Sequence, residues 1–170
     1  MEFGANDYLD YGNSDDFFFG DKSFTIEFWR KRSRLNATEA YVTVYDGSSN
    51  NHFWFGATHT GYDGFWYYYN SGSSTNIQSG SSTQDQWDHL CAERDADAGT
   101  ITFYRNGNAE GVRDFSSGLN AANNLTLRIG KDNHPTNNYS FSGYISDLRI
   151  YKGVAKYKGG FDVPKPYNPK

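Results

Sequence analysis

Apolar and polar residues alternate with a period of two in many segments of this chain, and clusters of turn-forming residues separate these segments. Phe24, Ile26 and Phe28 alternate with more polar neighbours, so they would share one face of a strand. Asn106-Gly107 is the strongest turn signal, because a two-residue hairpin turn favours residues that accept positive φ. Strand-like segments separated by turns in this way predict one all-β domain over residues 1–170, either a sandwich or a barrel.

The composition indicates that the core of this domain is aromatic. Hydrophobic residues make up only 36% of the chain, but Phe, Tyr and Trp alone make up 18%. Each aromatic side chain buries on the order of 150–250 Å², so the chain has enough apolar surface for a core. Residues 70–84 are almost wholly Ser, Gly, Thr, Asn and Gln, and we expect a loop there. Residues 117–124 have poor apolar spacing for more than one turn of helix.

Charge and hydropathy argue against nucleic acid and the membrane interior as partners of this chain. The net charge of −4 and the lack of a basic stripe argue against nucleic acid as a partner. The densest positive run is Arg30, Lys31, Arg32 and Arg34, which we expect to be a solvated strand end. No apolar stretch approaches the roughly 20 residues that span a bilayer, so no membrane insertion is expected.

Cysteine content and the first residues bear on where the chain folds. Cys91 is the only cysteine, so no intrachain disulfide forms. No basic segment followed by an apolar run begins the sequence, and we expect no signal peptide. The expectation is a protein that folds in a cytoplasm, which is compatible with a place in a virus particle.

Several segments, in this order, resemble the laminin-G-like, concanavalin A-like lectin family. They are FTIEFW at residues 24–29, QWDH at 86–89, YRNG at 104–107, LRIG at 127–130 and GYISDLRI at 143–150. The segment after Tyr151, running to Phe161 and Pro164, is most similar to the variant common in bacteriophage and other viral structural proteins. The resemblance implies an antiparallel two-sheet jelly-roll sandwich with six or seven strands per sheet. It also implies ligand binding at loop edges or on a sheet face, often with one calcium ion.

The residues give little support to a catalytic function. Glucan hydrolases of this fold carry three carboxylates at alternate positions of one strand. The nearest equivalent here is Glu93, Asp95 and Asp97, whose last member falls in a predicted turn beside Gly99. Cys91 lies mid-strand with His89 on the same face, where a buried, unreactive thiol is expected. We therefore predict that the chain is not an enzyme.

A calcium ion is the metal that the residues favour, because it takes carboxylates and carbonyl oxygens from turns. The predicted ligands are Asp7, Asp132, Asn133 and Asp147. Each of these residues has an alternative interpretation as an ordinary turn or strand-end residue.

A glycan is the ligand that the surplus aromatic residues favour, because sugar rings stack on aromatic faces and their hydroxyls bond to polar side chains. Residues 64–70 put aromatic side chains on both faces of one strand, so one set must be exposed or covered by a loop. The predicted ligand-binding residues are Trp54, Trp66, Tyr68, Asn106, Arg113 and Tyr139. Core packing and a homo-oligomer interface are the alternatives for the same aromatic residues.

The leading hypothesis is a non-catalytic binding module of a virus particle, either a phage capsid decoration protein or a tail-fibre adhesin. Its partner would be a glycan or another virion protein. The alternative is a lectin-like carbohydrate-binding module of a larger, secreted bacterial protein or polysaccharide-degrading enzyme, with an extracellular location.

Overall fold

The computed structural model describes residues 1–47, 51–69, 73–116 and 125–165, apart from some strand side chains. The side chains left out are those of residues 51, 52, 68, 69 and 73–75. In these ranges there is no helix that is both long and apolar enough to cross a membrane. The expectation for residues 117–124 lies outside the described part.

Twelve strands in the described residues form two antiparallel six-stranded sheets. In spatial order, sheet A consists of β1 (Glu2–Phe3), β12 (Gly143–Lys152), β3 (Phe24–Arg32), β8 (Trp87–Asp95), β9 (Thr100–Arg105) and β10 (Asn108–Asp114). Sheet B consists of β2 (Leu9–Asn13), β11 (Thr126–Ile129), β4 (Glu39–Tyr45), β5 (Asn51–Ala57), β6 (Tyr62–Tyr69) and β7 (Ser73–Ser81). One turn of 3₁₀ helix, Asp15–Phe17, follows β2. The predicted all-β jelly-roll sandwich is confirmed.

The apolar halves of the alternating segments pack between the sheets. Phe24, Ile26 and Phe28 of β3 are fully buried, as period-two alternation predicted. The ring of Phe28 lies edge-on to that of Phe55 across the sandwich, with centroids 4.7 Å apart. Other aromatic pairs continue this packing, so the core is aromatic, as the composition indicated.

The hairpin predicted at Asn106-Gly107 is confirmed. It joins β9 to β10, and both turn residues have positive φ, 49° for Asn106 and 78° for Gly107. The loop prediction for residues 70–84 is wrong over most of its length, because Ser73–Ser81 pairs with β6 as an edge strand. Ile77 is the one apolar residue in this strand, and it enters the core. Backbone pairing, which composition does not report, therefore defines β7.

Buried charges join the two sheets. Arg30 on β3 and Arg105 on β9 both donate to the carboxylate of Asp63 on β6, the second at 2.7 Å. Arg32 donates to Glu39 on β4 at 2.7 Å. These charges are paired across the interface between the sheets, where an unpaired charge would be costly. The Nε atoms of Arg30 and Arg105 have no hydrogen-bond partner among the described residues.

The expectation of a solvated strand end at this arginine run is therefore wrong. The alternation of β3 continues to its last residues, so Arg30 and Arg32 point inward and are fully buried. Lys31 points to the outer face, and Arg34 is about half exposed. Acidic residues on sheet B, Asp63 and Glu39, form ion pairs with these inward-pointing arginines and so offset the cost of burying their charge.

After β12 the chain crosses the outer face of sheet A as an extended segment, the C-terminal strap (residues 154–165). The backbone N–H of Phe161 donates to the carbonyl of Gly107 at 3.0 Å. The indole N–H of Trp29 donates to the carbonyl of Pro164 at 3.1 Å. The strap covers the middle of sheet A. One hollow lies beside the strap on sheet A, and two more lie at the outer face of sheet B.

Candidate functional site

The strand register aligns a row of side chains across the outer face of sheet B. Arg128 of β11 is opposite Thr43 of β4, Thr43 is opposite Trp54 of β5, and Trp54 is opposite Trp66 of β6. Residues directly opposite each other in an antiparallel sheet share a face. The row therefore changes from a cationic side chain to two indoles within four strands.

Two hollows adjoin on this face, and together we call them the sheet B cleft. The first has a volume of ≈ 260 Å³ and is lined by Asn13, Tyr45, Asp46, Gly47, Thr126, Arg128 and Asn133. The second has a volume of ≈ 350 Å³ and is lined by Arg128 and residues 131–138. Both hollows contain Arg128 and Asn133, so these two residues form the boundary between them.

A loop at residues 131–140, the covering loop, forms one wall of the cleft. Its ends pair with each other, since Lys131 and Ser140 form a bridge. The buried carboxylate of Asp132 accepts from the side-chain amide of Asn137 at 3.0 Å and so fixes the loop's turn. Thr43 of β4 donates to the carbonyl of Lys131 at 3.3 Å, which holds the loop against the sheet.

Arg128 is the charged residue that lines both hollows of the cleft. Its guanidinium lies 2.9 Å from the carboxylate of Asp10 and 4.5 Å from the ring centroid of Tyr8. The hydrogen bond from Arg128 lowers the pKa of Asp10. The ammonium group of Lys131 lies 5.8 Å from the same Tyr8 ring. The cleft thus offers fixed N–H donors, amides and hydroxyls, which suit a ligand rich in oxygen atoms.

The two indoles beside the cleft form a small aromatic cluster separate from the main core. Gly56 and Gly64 are opposite each other on β5 and β6, and their lack of side chains leaves room for the indoles over the backbone. Trp54 and Trp66 are only 5% and 7% exposed, and their ring centroids are 4.0 Å apart. Tyr139 of the covering loop packs on Trp54 at 5.9 Å.

Two buried polar atoms on this face have no hydrogen-bond partner in the described part of the chain. They are the indole Nε1 of Trp54, a donor, and the side-chain Oδ1 of Asn133, an acceptor. The amide of Asn133 is held in place by its Nδ2, which donates to the carbonyl of Thr126 at 2.8 Å. Leaving such groups unsatisfied costs about 1–3 kcal/mol each.

The structure brings three of the predicted glycan-binding residues together on sheet B: Trp54, Trp66 and Tyr139. The other three predicted residues are not part of this group. Asn106 lies in the hairpin turn of sheet A, where its amide donates to Asp88 at 3.0 Å. Arg113 is exposed on β10, also in sheet A. The side chain of Tyr68 lies outside the described part, and ligand binding by all six stays a prediction.

The predicted calcium ligands are not gathered at one place. No group of three or more His, Cys, Asp or Glu able to hold a metal occurs in the described ranges. Asp7 accepts from a backbone N–H of its own turn at 2.9 Å, and Asp147 faces Arg149 at 3.9 Å. Asp132 and Asn133 are adjacent, but the guanidinium beside them belongs to Arg128. These four residues do not fit a single calcium site, and the ion stays a prediction.

The carboxylate triplet considered for catalysis has a structural role instead. Glu93 is buried and accepts from the backbone N–H groups of Tyr157 and Lys158 at 2.6 and 2.8 Å. Asp95 pairs with the ammonium group of Lys158 at 3.1 Å. Asp97 is 91% exposed in the turn after β8. Glu93 and Asp95 both line a hollow of ≈ 270 Å³ beside the strap, and Asp97 is not part of its lining. The carboxylates therefore anchor the strap or face solvent, and the three are not brought together around one hollow.

The thiol of Cys91 is fully buried beneath the strap. Burial, together with the nearby carboxylates of Glu27 and Glu93, raises its pKa well above the usual value. A protonated, inaccessible thiol is a poor nucleophile, in agreement with the sequence-based expectation.

Sequence reasoning did not identify the centre of the cleft. Arg128 lies between Leu127 and Ile129, both of which point into the core, so alternation alone places it on the outer face. Tyr45 on β4 has the same signal, since Val44 before it is buried. The pairing of β11 with β4, which places Arg128 in the cleft, could not be predicted from the sequence.

Comparison with known proteins supports this architecture. Among solved structures, the carbohydrate-binding module of the Ruminococcus gnavus IT-sialidase, bound to α2,3-sialyllactose, is 16% identical, with 93% of each chain covered and a TM-score of 0.69. Domain 4 of an extracellular arabinanase from Geobacillus stearothermophilus, in complex with arabinotriose, is 20% identical, with 84% of this chain and 66% of that chain covered and a TM-score of 0.61.

The NanB sialidase of Streptococcus pneumoniae is 17% identical, and 93% of this chain matches 26% of that enzyme with a TM-score of 0.71. At these identities the likeness establishes the fold alone. Among curated protein sequences there is no significant match. A family model matches residues 3–156, nearly the whole of both sheets. The chain therefore belongs to the concanavalin A-like lectin/glucanases superfamily, in its laminin-G-like branch.

Proposed function

We propose that this chain is a non-catalytic carbohydrate-binding module that holds a glycan in the sheet B cleft. The observation that carries the proposal is the pair of adjoining hollows that share Arg128 and Asn133. Amide, hydroxyl, guanidinium, ammonium, imidazole and carboxylate groups line them, and Tyr45 adds an aromatic ring. Sugar hydroxyls both donate and accept hydrogen bonds, so this mixture of groups fits them better than it fits an apolar ligand.

The neighbouring structures support a glycan as the ligand. The Ruminococcus module binds sialyllactose, and the Geobacillus domain binds arabinotriose. The match to about a quarter of NanB supports a module within a larger enzyme. We therefore favour the carbohydrate-binding module of a larger, secreted bacterial protein. The virion role suggested by the strap sequence has no support from these comparisons and stays a prediction.

A glycan array tests the proposal directly. The purified chain is screened against mono- and oligosaccharides, sialyllactose and arabinotriose included, with calcium and again with a chelator. We expect binding to a defined set of glycans. Loss of that binding with the chelator would favour the predicted ion, whereas unchanged binding would argue against any role for it. If no glycan bound in either condition, the proposal that this chain is a carbohydrate-binding module would be refuted.

A pair of arginine variants locates the site. Arg128→Gln removes the charge at the centre of the cleft, and it should weaken binding about tenfold or more, since hydrogen bonds to charged groups contribute about 1.5–3 kcal/mol. Arg113→Gln is the matched control, because Arg113 is exposed on the other sheet. The reverse pattern, in which only Arg113→Gln loses binding, would move the site to sheet A.

A further inference from the structure

A row of outward-facing side chains crosses sheet A beside the strap. Glu2 of β1 is opposite Tyr144 of β12, and Tyr144 is opposite Lys31 of β3. Lys31 is in turn opposite Trp87 of β8. Lys31 points to the outer face, and residues directly opposite each other in an antiparallel sheet share a face. These four residues, the sheet A platform, are next to the row in which the strap binds Trp29.

The platform presents an aromatic surface to solvent. Trp87 is 45% exposed, whereas Trp54 and Trp66 are buried. One exposed apolar side chain is ordinary on a protein, but the ring of Trp87 lies 6.3 Å from that of Tyr144, with 52° between their planes. Their strands are two spacings apart, roughly 10 Å, so the rings lean toward each other over β3. The pair therefore forms one apolar patch, with Trp87 as its open face.

Groups of both charges border these rings. The ammonium group of Lys31 lies 6.0 Å from the ring centroid of Tyr144, and it has no ion pair or hydrogen bond in the described part of the chain. Its three N–H donors are available to a ligand. The hydroxyl of Tyr144 donates to the exposed carboxylate of Glu2 at 2.9 Å, and the remaining lone pairs of that carboxylate accept further hydrogen bonds. The platform thus offers donors, acceptors and an apolar face within one row.

This combination suits a glycan better than a protein or a nucleic acid. Sugar rings stack their C–H faces on aromatic rings, and their hydroxyls bond both to donors and to acceptors. The cores of protein interfaces are rich in Trp and Tyr but poor in Lys and Glu, so Lys31 and Glu2 argue against a protein partner. The net charge of −4 disfavours nucleic acid. The opposite charges of Lys31 and Glu2 also offset each other, which fits an uncharged ligand.

We infer that the sheet A platform is a second glycan site, in which one sugar stacks on Trp87 while hydroxyls further along the glycan bond to Lys31 and Glu2. Three strand spacings, roughly 14 Å, separate the strands of Glu2 and Trp87, so the ligand is an extended glycan chain rather than a single sugar. The inference shares the ligand class of the proposed function and adds a site on the other sheet.

The two glycan sites lie on opposite faces of the sandwich. The sheets alone are about 10 Å apart, and side chains on both outer faces add to that distance, so one short oligosaccharide does not reach both sites. The protein therefore binds two glycan chains, or two segments of one polysaccharide, at the same time. Linked binding of this kind raises the overall affinity for a polymer or a dense glycan surface well above that of either site.

The test measures the Kd of the full-length chain on surfaces that carry glycans at high density: arabinan, arabinotriose, sialyllactose and every other glycan bound on the array. Trp87→Ala should raise the Kd about tenfold or more, because one of two linked sites is lost. Tyr62→Ala is the matched control, since Tyr62 is also an exposed aromatic residue, 42%, at the start of β6. It should leave the Kd unchanged. Circular dichroism should show the wild-type sheet signal in both variants.

Tryptophan emission gives a second test on the wild-type chain. Trp87 is the most exposed of the four tryptophans, so acrylamide should quench its emission most strongly. Saturation with a bound glycan should reduce this quenching, and Arg128→Gln should show the same protection because its platform is intact. Unchanged quenching under saturation would overturn stacking on Trp87, whether or not Trp87→Ala folds.

The combined results separate this inference from the proposed function. An unchanged Kd for Trp87→Ala with weaker binding by Arg128→Gln would overturn the platform and leave the cleft as a glycan site. Weaker binding by Trp87→Ala with an unchanged Kd for Arg128→Gln would keep the platform and overturn the cleft. No retention of the wild-type chain on any of these surfaces would overturn both sites.

Discussion

The ammonium group of Lys156 lies 2.8 Å from a carboxylate oxygen of Glu27, and this ion pair joins the strap to the middle of sheet A. Glu27 is buried and also contacts the hydroxyl of Tyr157 and the imidazole of His89. Burial alone would raise the pKa of Glu27, but its hydrogen bonds outweigh that effect and bring the pKa to about 2. The charged form of Glu27 is therefore part of what holds the strap.

Glu27→Gln is expected to destabilise the domain. The amide cannot replace the ion pair with Lys156, and a shift of the pKa from 4.5 to about 2 corresponds to about 3 kcal/mol. Urea unfolding followed by tryptophan fluorescence measures the change. Asp162→Asn, at an exposed position of the same strap, should stay within about 0.5 kcal/mol of wild type. Equal effects of the two variants would mean that the ion pair contributes nothing.

The same carboxylate predicts an acid-dependent loss of stability. Its folded pKa of about 2 lies below the ordinary value of 4.5, so the stabilisation is complete above pH 4.5 and is lost as the pH falls toward 2. The free energy of unfolding of wild type should fall across that window more steeply than that of Glu27→Gln. Parallel curves for the two proteins would rule out Glu27 as the titrating group.

Local sequence information predicted β3 and other central strands, the aromatic core and the Asn106-Gly107 hairpin. It failed where long-range pairing decides the outcome. Ser73–Ser81 is a strand because β6 offers it partners, although its own residues favour a loop. Arg30 and Arg32 are buried because Asp63 and Glu39 face them from the other sheet. Neither partner is adjacent in sequence.

The candidate site was predictable only in part for the same reason. The surplus of aromatic residues correctly indicated that one face of β5 and β6 needs a cover, and Tyr139 provides part of it. The position of Arg128 beside Thr43 depends on the order of strands in sheet B, which no local pattern specifies. The sequence analysis grouped Asn106 and Arg113 with Trp54 as ligand-binding residues, but Asn106 and Arg113 lie on sheet A and Trp54 lies on sheet B.

Removal of the central buried carboxylate should be the most damaging single change. Asp63→Ala would leave Arg30 and Arg105 without their shared partner inside the sandwich. Breaking a buried pair in this way costs about 3–5 kcal/mol. Asp10→Asn is the surface comparison, because Asp10 pairs with Arg128 where solvent reaches both, and it should cost no more than about 1 kcal/mol. Chemical denaturation measures the free energy of unfolding of both variants. Similar losses in Asp63→Ala and Asp10→Asn would contradict the larger effect expected for the buried carboxylate.

Glycine is required at position 56 by the indole that lies over it. A Cβ there would overlap the carbonyl oxygen of Glu39 and come within 2.5 Å of Trp54 Cε2. Gly56→Ala should therefore lower Tm by several degrees, corresponding to about 1–3 kcal/mol of overpacking. Gly80→Ala is the control in the same sheet, since its nearest contact would be the flexible end of Glu110 at 3.9 Å. A neutral Gly56→Ala would show that the indoles can shift.

Cys91 offers a direct measure of strap opening, because it is the only cysteine and is buried beneath the strap. Its raised pKa and lack of access should make it react with a thiol reagent only when the strap leaves the sheet. Glu93→Gln weakens the acceptor of two strap N–H groups. Since such charged hydrogen bonds contribute about 1.5–3 kcal/mol, the reaction should be roughly ten to a hundred times faster in Glu93→Gln. Asp162→Asn should react at the wild-type rate. If all three proteins reacted only at the rate of global unfolding, the strap would be an inseparable part of the sandwich.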